Sequence, residues 1–261
     1  MTEPLRFRGG GFTIQPKRHA GWIAGLAVIG LWQGASSAGW VSPIFLPSPA
    51  GIAQALADMA LSGQLWRHLA ASLKRILTGF VLGGTAGLAI GLALGLLSHA
   101  RAAGLPIISA LFPIPKIALL PLFILWFGIG EPSKVATIAL GVFFPMAIAT
   151  YSGVDQVPRT LIRMAQSFDV PAFAIVGKVI LPGALPGILA GVRISASIGL
   201  VLVVAAEMIG AEFGIGAFIL TAGNLMRTED LLAGVCLLSV LGITVGFAVS
   251  AAERRLLGWR Q

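Results

Sequence analysis

Six apolar runs, near residues 20–40, 77–97, 105–128, 134–151, 186–209 and 231–251, dominate this chain. Each approaches the roughly 20 residues that an α-helix needs to cross the hydrocarbon core of a bilayer. A chain that is 57% hydrophobic and 11% charged cannot cover a water-facing surface with polar side chains, so the runs belong in lipid. Helix bundles and closed β-barrels are the two architectures that satisfy every backbone polar group there. Barrel strands alternate apolar and polar residues, whereas 201–206 is apolar on every face. The expectation is an all-α polytopic membrane protein of six transmembrane helices. They form one domain over 20–261, behind a flexible Gly-rich basic tail at 1–19.

A formal charge of +8 would suggest nucleic acid in a soluble protein, but here topology accounts for it. With the N-terminus placed in the cytoplasm, the inner segments hold Arg6, Arg8, Lys17, Arg18, Arg101, Arg159, Arg163, Lys178, Arg254, Arg255 and Arg260. The outer segments hold Arg67, Lys74, Arg75, Lys134 and Arg227; 11 against 5 favours both termini inside. Nucleic acid is therefore not an expected partner. Cys236, the single cysteine, lies in the last run, where it excludes an intrachain disulfide and reads as a packing residue.

Residues 41–66 mix prolines with a short helical pattern and are expected along the outer face, with Trp40 and Trp66 as interfacial anchors. In the second run Gly79, Gly83, Gly87, Gly91 and Gly95 recur every four residues, aligning on one helical face. The fifth repeats the device with Gly187, Gly191, Ser195 and Gly199, so these two helices are expected to pack on each other or at a subunit seam. The third run carries Pro106, Pro113, Pro115 and Pro121 around Lys116 and must be kinked or broken. Broken helices line transport pathways; Lys116 either lines one or snorkels to the headgroups. The polar turn at 128–134 reads as a connector, and 207–230 as a re-entrant helix or outer gate.

Between the fourth and fifth runs, 158–193 is too long and too patterned for a hairpin loop. It reads as a short amphipathic helix, a break near Asp169 and Pro171, a second helical stretch, and Leu181-Pro182 before the next span. Such a polar knob suits docking to another protein.

No G-x-x-x-x-G-K-[ST] occurs, because Gly177-Lys178 is followed by Val179 and lacks the upstream glycine, so ATP hydrolysis is not expected of this chain. His19, His68 and His99 lie in separate segments without metal or triad spacing, leaving no catalytic and no metal site. Lys116, Arg193 and Glu207 are the ionisable residues inside runs and are pathway candidates on that ground. Glu207 falls near the outer end of its span, unlike the mid-membrane carboxylates of proton-coupled transporters.

From about Leu65 onward the chain resembles the permeases of nitrate, sulfonate and taurine ABC importers. The resemblance lies in L-W-R-H-L-A-A-S-L-K-R-I-L-T-G-F, P-I-P-K-I-A-L-L-P-L-F-I-L-W-F-G-I-G-E-P-S-K, K-V-I-L-P-G-A-L-P-G-I-L-A-G-V-R and A-E-M-I-G-A-E-F-G-I-G. It implies a type I ABC importer permease fold in the bacterial inner membrane, and a homodimer embedded in lipid. Each copy would dock one subunit of an ATPase dimer, which holds ATP and Mg, so no cofactor is expected in this chain. A periplasmic binding protein would deliver a small anion such as a sulfonate, taurine or nitrate. Vitamin precursors and aromatic acids are alternative cargoes; a secondary transporter or a membrane scaffold is the alternative function. Residues 22–32 with Ser36 and Ala38 also sketch a signal peptide, but the family keeps its first span, so an uncleaved helix is expected.

The family's cytoplasmic loop motif, E-A-A, three residues, G, nine residues, I-x-L-P, falls within 152–185. Alignment on Leu181-Pro182 puts Arg163, Met164 and Ala165 at E-A-A, Asp169 at the glycine and Val179 at the isoleucine. The implied coupling helix is Thr160, Leu161, Arg163, Met164, Ala165, Gln166, Ser167, Phe168 and Asp169 with their neighbours. Arg163 inverts the family's charge, which puts the usual salt bridge to the ATPase in doubt. Asp169 tolerates the turn that glycine would make.

Overall fold

The computed structural model describes residues 20–258, so the expected tail at 1–19 lies outside the described residues. Among the described residues the regular elements are all helical. They are α1 (Ala20–Ser37), α2 (Pro49–Leu61), α3 (Gln64–Leu96), α4 (Ser98–Leu111), α5 (Leu120–Phe127), α6 (Glu131–Asp155), α7 (Arg159–Ser167), α8 (Ala172–Ile175), α9 (Leu181–Glu207), α10 (Ile215–Asn224) and α11 (Thr228–Leu256). Four stretches are long and apolar enough to cross a membrane: α3, α6, Ala172–Glu207 and α11. The α4–α5 pair, bent by 89°, makes a fifth if it is one broken span rather than a re-entrant loop. The 18-residue apolar α1 stands where the first of six spans was expected, tied to the α2 segment by Trp32 Nε1 donating to Pro47 O at 3.0 Å.

Local chemistry sets several boundaries. Ser48 Oγ accepts from Gly51 N at 3.0 Å with Pro49 at the first position, a start for α2 that satisfies one orphan amide. Glu229 and Asp230 open α11 while Arg254 and Arg255 close it, each sign matching the partial charge of its helix end. The bend between α4 and α5 falls at Pro113 and Pro115, which cannot supply helix amides, and a 3-10 turn at Lys116–Leu119 resumes the chain.

The centre of the bundle is α6, with α3 on one side and α9 on the other. A Cβ on Gly87 would stand 2.6 Å from Phe143 O, one on Gly91 2.5 Å from Ala147 O, and one on Gly83 would overlap Ala139 O. Gly79 and Gly95 meet Ile138 and Val154 in the same way. From the other side, a Cβ on Gly187 would lie 2.7 Å from Gly153 Cα, and one on Gly191 2.7 Å from Ala149 Cβ. The two small-residue stripes were expected to face each other or a subunit seam; within the chain both press on α6. That helix offers its own small residues, Ala139, Ala147, Ala149 and Gly153, so two backbones can approach it at once.

Two boundaries also differ from expectation. The second span begins at Gln64 rather than near 77, because Arg75 is folded into the protein and not left in an outer loop. Leu181-Pro182 does not separate a loop helix from a span. The chain runs from α8 through a π-turn at Val176–Ile180 into α9. The wider turn makes room for the Pro182 ring and its missing amide, so the helix continues where a proline would ordinarily interrupt it.

Candidate functional site

At the end of the bundle where α3, α6 and α9 meet the 208–214 connection, charged groups are buried together. Arg75 on α3 is 4% exposed and Glu207, the last residue of α9, is 1% exposed. Arg75 Nη1 donates to Glu207 Oε1 at 2.8 Å and to Phe213 O at 2.6 Å. Its other edge grips Glu131, the first residue of α6, with Nε to Oε2 at 2.9 Å and Nη2 to Oε1. One planar guanidinium thus bridges two carboxylates, a geometry that a lysine could not reproduce. Ser72 Oγ lies 2.7 and 2.9 Å from the two Glu207 oxygens and accepts from Ile215 N at 2.9 Å. Gly216 N donates to Glu207 Oε2 at 2.9 Å. The Glu207 carboxylate therefore closes the N-terminus of α10, where free amides favour negative charge.

Lys134, also buried, donates to Gly130 O and Gly210 O, both at 3.1 Å. His68 Nδ1 lies 2.9 Å from Gly214 O and 3.1 Å from Gly214 N, donating to the first or accepting from the second according to its tautomer. Gly214 has φ 144°, and a Cβ there would collide with the Glu207 carboxylate; glycine is required on both counts.

The opposite end carries α7. Ile162 and Ala165 pack on a core of Val154, Val157, Ile175 and Ile180, anchoring one side of the helix. Leu161, Met164 and Phe168 are exposed, Phe168 at 76%, and their three- and four-residue spacing puts them on one face. Thr160, Arg163, Gln166 and Ser167 are exposed between and beside them. Just past the end of α7, Asp169 has a φ of 53°, the left-handed turn expected there. Phe173, also exposed, extends the apolar surface.

The remaining pathway candidates are far less enclosed than Glu207. Lys116 sits in the α4–α5 break, and its Nζ donates to the carbonyls of Leu111, Phe112 and Ile114 at 3.1, 2.6 and 2.7 Å. It also lies 4.4 Å from the centre of the Phe144 ring. An ammonium has three donors; two are spent on the negative end of α4 and the third on Ile114 O in the break itself. Arg193 bonds Glu253 and reaches Ser250 Oγ at 3.4 Å, joining α9 to α11. Lys116, Arg193 and Glu207 thus belong to three separate local networks.

Residues 79–258 match the family model of the binding-protein-dependent transport system inner membrane component. The chain belongs to this family. It is an ABC-importer permease, a multi-pass component of the inner membrane. It is 38% identical to the taurine transport system permease protein TauC of Escherichia coli K12 over 243 residues, 91% of this chain and 88% of that one. The same identity holds over 248 residues with a Bacillus subtilis 168 protein named as an aliphatic sulfonates transport permease, SsuC, 94% of this chain and 90% of the relative. In shape it is similar to the MetNI methionine ABC transporter in inward-facing conformations, with TM-score 0.59 and 24% identity over 75% of this chain and 95% of that one. An amino acid ABC transporter structure gives TM-score 0.64 at 18% identity, over 77% and 97%. Both show the type I permease fold.

The permease's buried cluster was visible in the sequence at one member only. Glu207 stood out as an intramembrane charge, but Arg75 was placed in an outer segment and the 128–134 turn was read as a connector. That turn supplies Glu131 and Lys134, so it is a working part of the cluster. A carboxylate buried in a membrane span requires a cation, and the Lys74-Arg75 pair eleven residues into the long α3 was the available signal.

Proposed function

We propose that this permease works as a homodimer that moves a small anion of the sulfonate, taurine or nitrate kind into the cytoplasm, sulfonates first. The observation supporting that cargo is 38% identity to taurine and sulfonate permeases across more than nine tenths of the chain. Both termini face the cytoplasm, in keeping with the basic-residue asymmetry. Two of the five outer basic residues, Arg75 and Lys134, are buried in the cluster, which leaves still less free positive charge outside.

In this orientation α7 enters the cytoplasm and presents Leu161, Met164 and Phe168 to one subunit of an ATPase dimer, which holds ATP and Mg. Arg163, exposed on the same helix, calls for an acidic patch on that ATPase. Closure of the ATPases displaces residues 160–169, and the rigid spans carry the displacement outward, driven by the different contacts of the two states. A periplasmic binding protein delivers the solute and sets most of the selectivity.

The test is co-purification with a P-loop ATPase, followed by uptake of labelled taurine into proteoliposomes with the cognate binding protein. Uptake that depends on ATP and on the binding protein is expected. ATP-independent uptake would point to a secondary transporter, and a binding protein that ignores sulfonates would redirect the cargo to another organic solute.

A further inference from the structure

Ala172–Glu207 is continuous apolar helix over 36 residues, about 54 Å at 1.5 Å per residue. Its first turns adjoin α7 and its last residue holds α10. A helix N-terminus is ordinarily capped by a Ser, Thr, Asp or Asn immediately before it. In α10 that position is Gly214, and the cap is Glu207, on another helix. The linkage therefore ties α9 to α10, whereas a local cap would serve α10 alone. Gly216 rests so closely on α9 that a Cβ there would overlap Val204 O. Between the two helices, Gly210 at φ 68° and Gly214 at φ 144° take backbone conformations that other residues resist, so the connection bends sharply at two joints.

We propose that Glu207, held by Arg75 and Ser72, is the positioning residue through which displacement of the cytoplasmic loop reaches α10, making α10 the moving outer gate of transport. The inference rests on the reading of this chain as an ATPase-coupled permease. Arg75 and Glu131 supply the fixed side, since they belong to α3 and α6. Ser72, on α3 with Arg75, belongs to that fixed side as well, holding Glu207 and the Ile215 amide against it, and α10 follows Glu207 through the Gly216 amide.

The experiment compares Glu207→Gln, Glu207→Asp and Ser72→Ala in the full transporter, with its ATPase and binding protein, in proteoliposomes. For Glu207→Gln, hydrolysis stimulated by the loaded binding protein should stay within about twofold. Uptake per ATP should fall about tenfold, as expected when a charge-assisted hydrogen bond weakens in one state of a cycle. Glu207→Asp should recover part of the loss. Ser72→Ala leaves no charge unpaired and should uncouple in the same direction, so it decides the matter if Glu207→Gln fails to assemble. Wild-type behaviour in the assembled variants, or uptake and hydrolysis falling in proportion, overturns the proposal. Wild-type uptake without ATP would instead sink the permease reading itself, and the inference with it.

Discussion

Arg75 and Glu207, 132 residues apart in sequence, meet at 2.8 Å with side chains 5% and 0% exposed. Away from water their attraction offsets a large desolvation cost, and the offset requires that the remaining donors and acceptors also be used. Most are: Arg75 directs three further N–H groups to Glu131 and Phe213 O, and Glu207 accepts from Ser72 and Gly216. Pairing within the protein is what allows α3 to carry an arginine into a span.

Removing one partner should therefore cost more than removing both. Arg75→Met leaves Glu207 buried without its cation and should destabilise the purified permease by about 3–5 kcal/mol. The double variant Arg75→Met/Glu207→Leu should regain most of that, because Glu131 is half exposed and can be solvated. Thermal unfolding in detergent reads both; additive losses would contradict the pairing.

The glycine seam gives a prediction between adjacent residues. A methyl on Gly83 runs into Ala139 O, whereas one on Gly84 meets its nearest neighbour, a Phe80 ring carbon, at 3.7 Å, an ordinary contact. Gly83→Ala should lower stability by about 1–3 kcal/mol through overpacking of backbone. Gly84→Ala should be neutral or stabilise by about 0.4–1 kcal/mol, by restricting the unfolded chain. Equal effects would remove α6 as the partner of this face.

Lys116 caps α4 through Leu111 O and Phe112 O and holds the break through Ile114 O, using all three of its donors. Lys116→Met should lower the melting temperature, with a loss of about 1.5–3 kcal/mol for charged hydrogen bonds. The KM for an anionic solute should stay within about twofold, since a shift of tenfold corresponds to 1.4 kcal/mol of direct interaction. A raised KM at unchanged stability would return Lys116 to the pathway.

These cases show which features the sequence carries and which it does not. Apolar run length and four-residue glycine spacing are local, so the spans and the packing face were legible in 79–95. The partner of that face was not, because it depends on which other helix offers small residues, and α6 does so on both sides. Asp169 was readable as a break because left-handed tolerance is a property of the residue itself. Pro182 misled for the opposite reason: a π-turn, a feature of the backbone around it, removes the interruption. The Arg75 pairing is a long-range fact, and local sequence registers it merely as charge near the end of a span.

The cytoplasmic face gives the last prediction. Phe168 is 76% exposed and Arg163 is exposed on the same helix, so neither supports the fold of the permease. Phe168→Ala should leave membrane insertion and melting unchanged while removing an apolar anchor from the ATPase groove. Such an anchor contributes about 2 kcal/mol, roughly thirtyfold in affinity. Arg163→Glu should weaken docking to the cognate ATPase, because it sets like charge against an acidic patch. The two variants then separate the contributions of shape and charge. Affinity of the purified ATPase for permease in nanodiscs measures both directly, with substrate-stimulated hydrolysis as a second readout. If Phe168→Ala binds and stimulates as the wild type does, the exposed face of α7 is not the docking surface. If Arg163→Glu binds more tightly, the patch is basic and the charge inversion at this position has no counterpart in the ATPase.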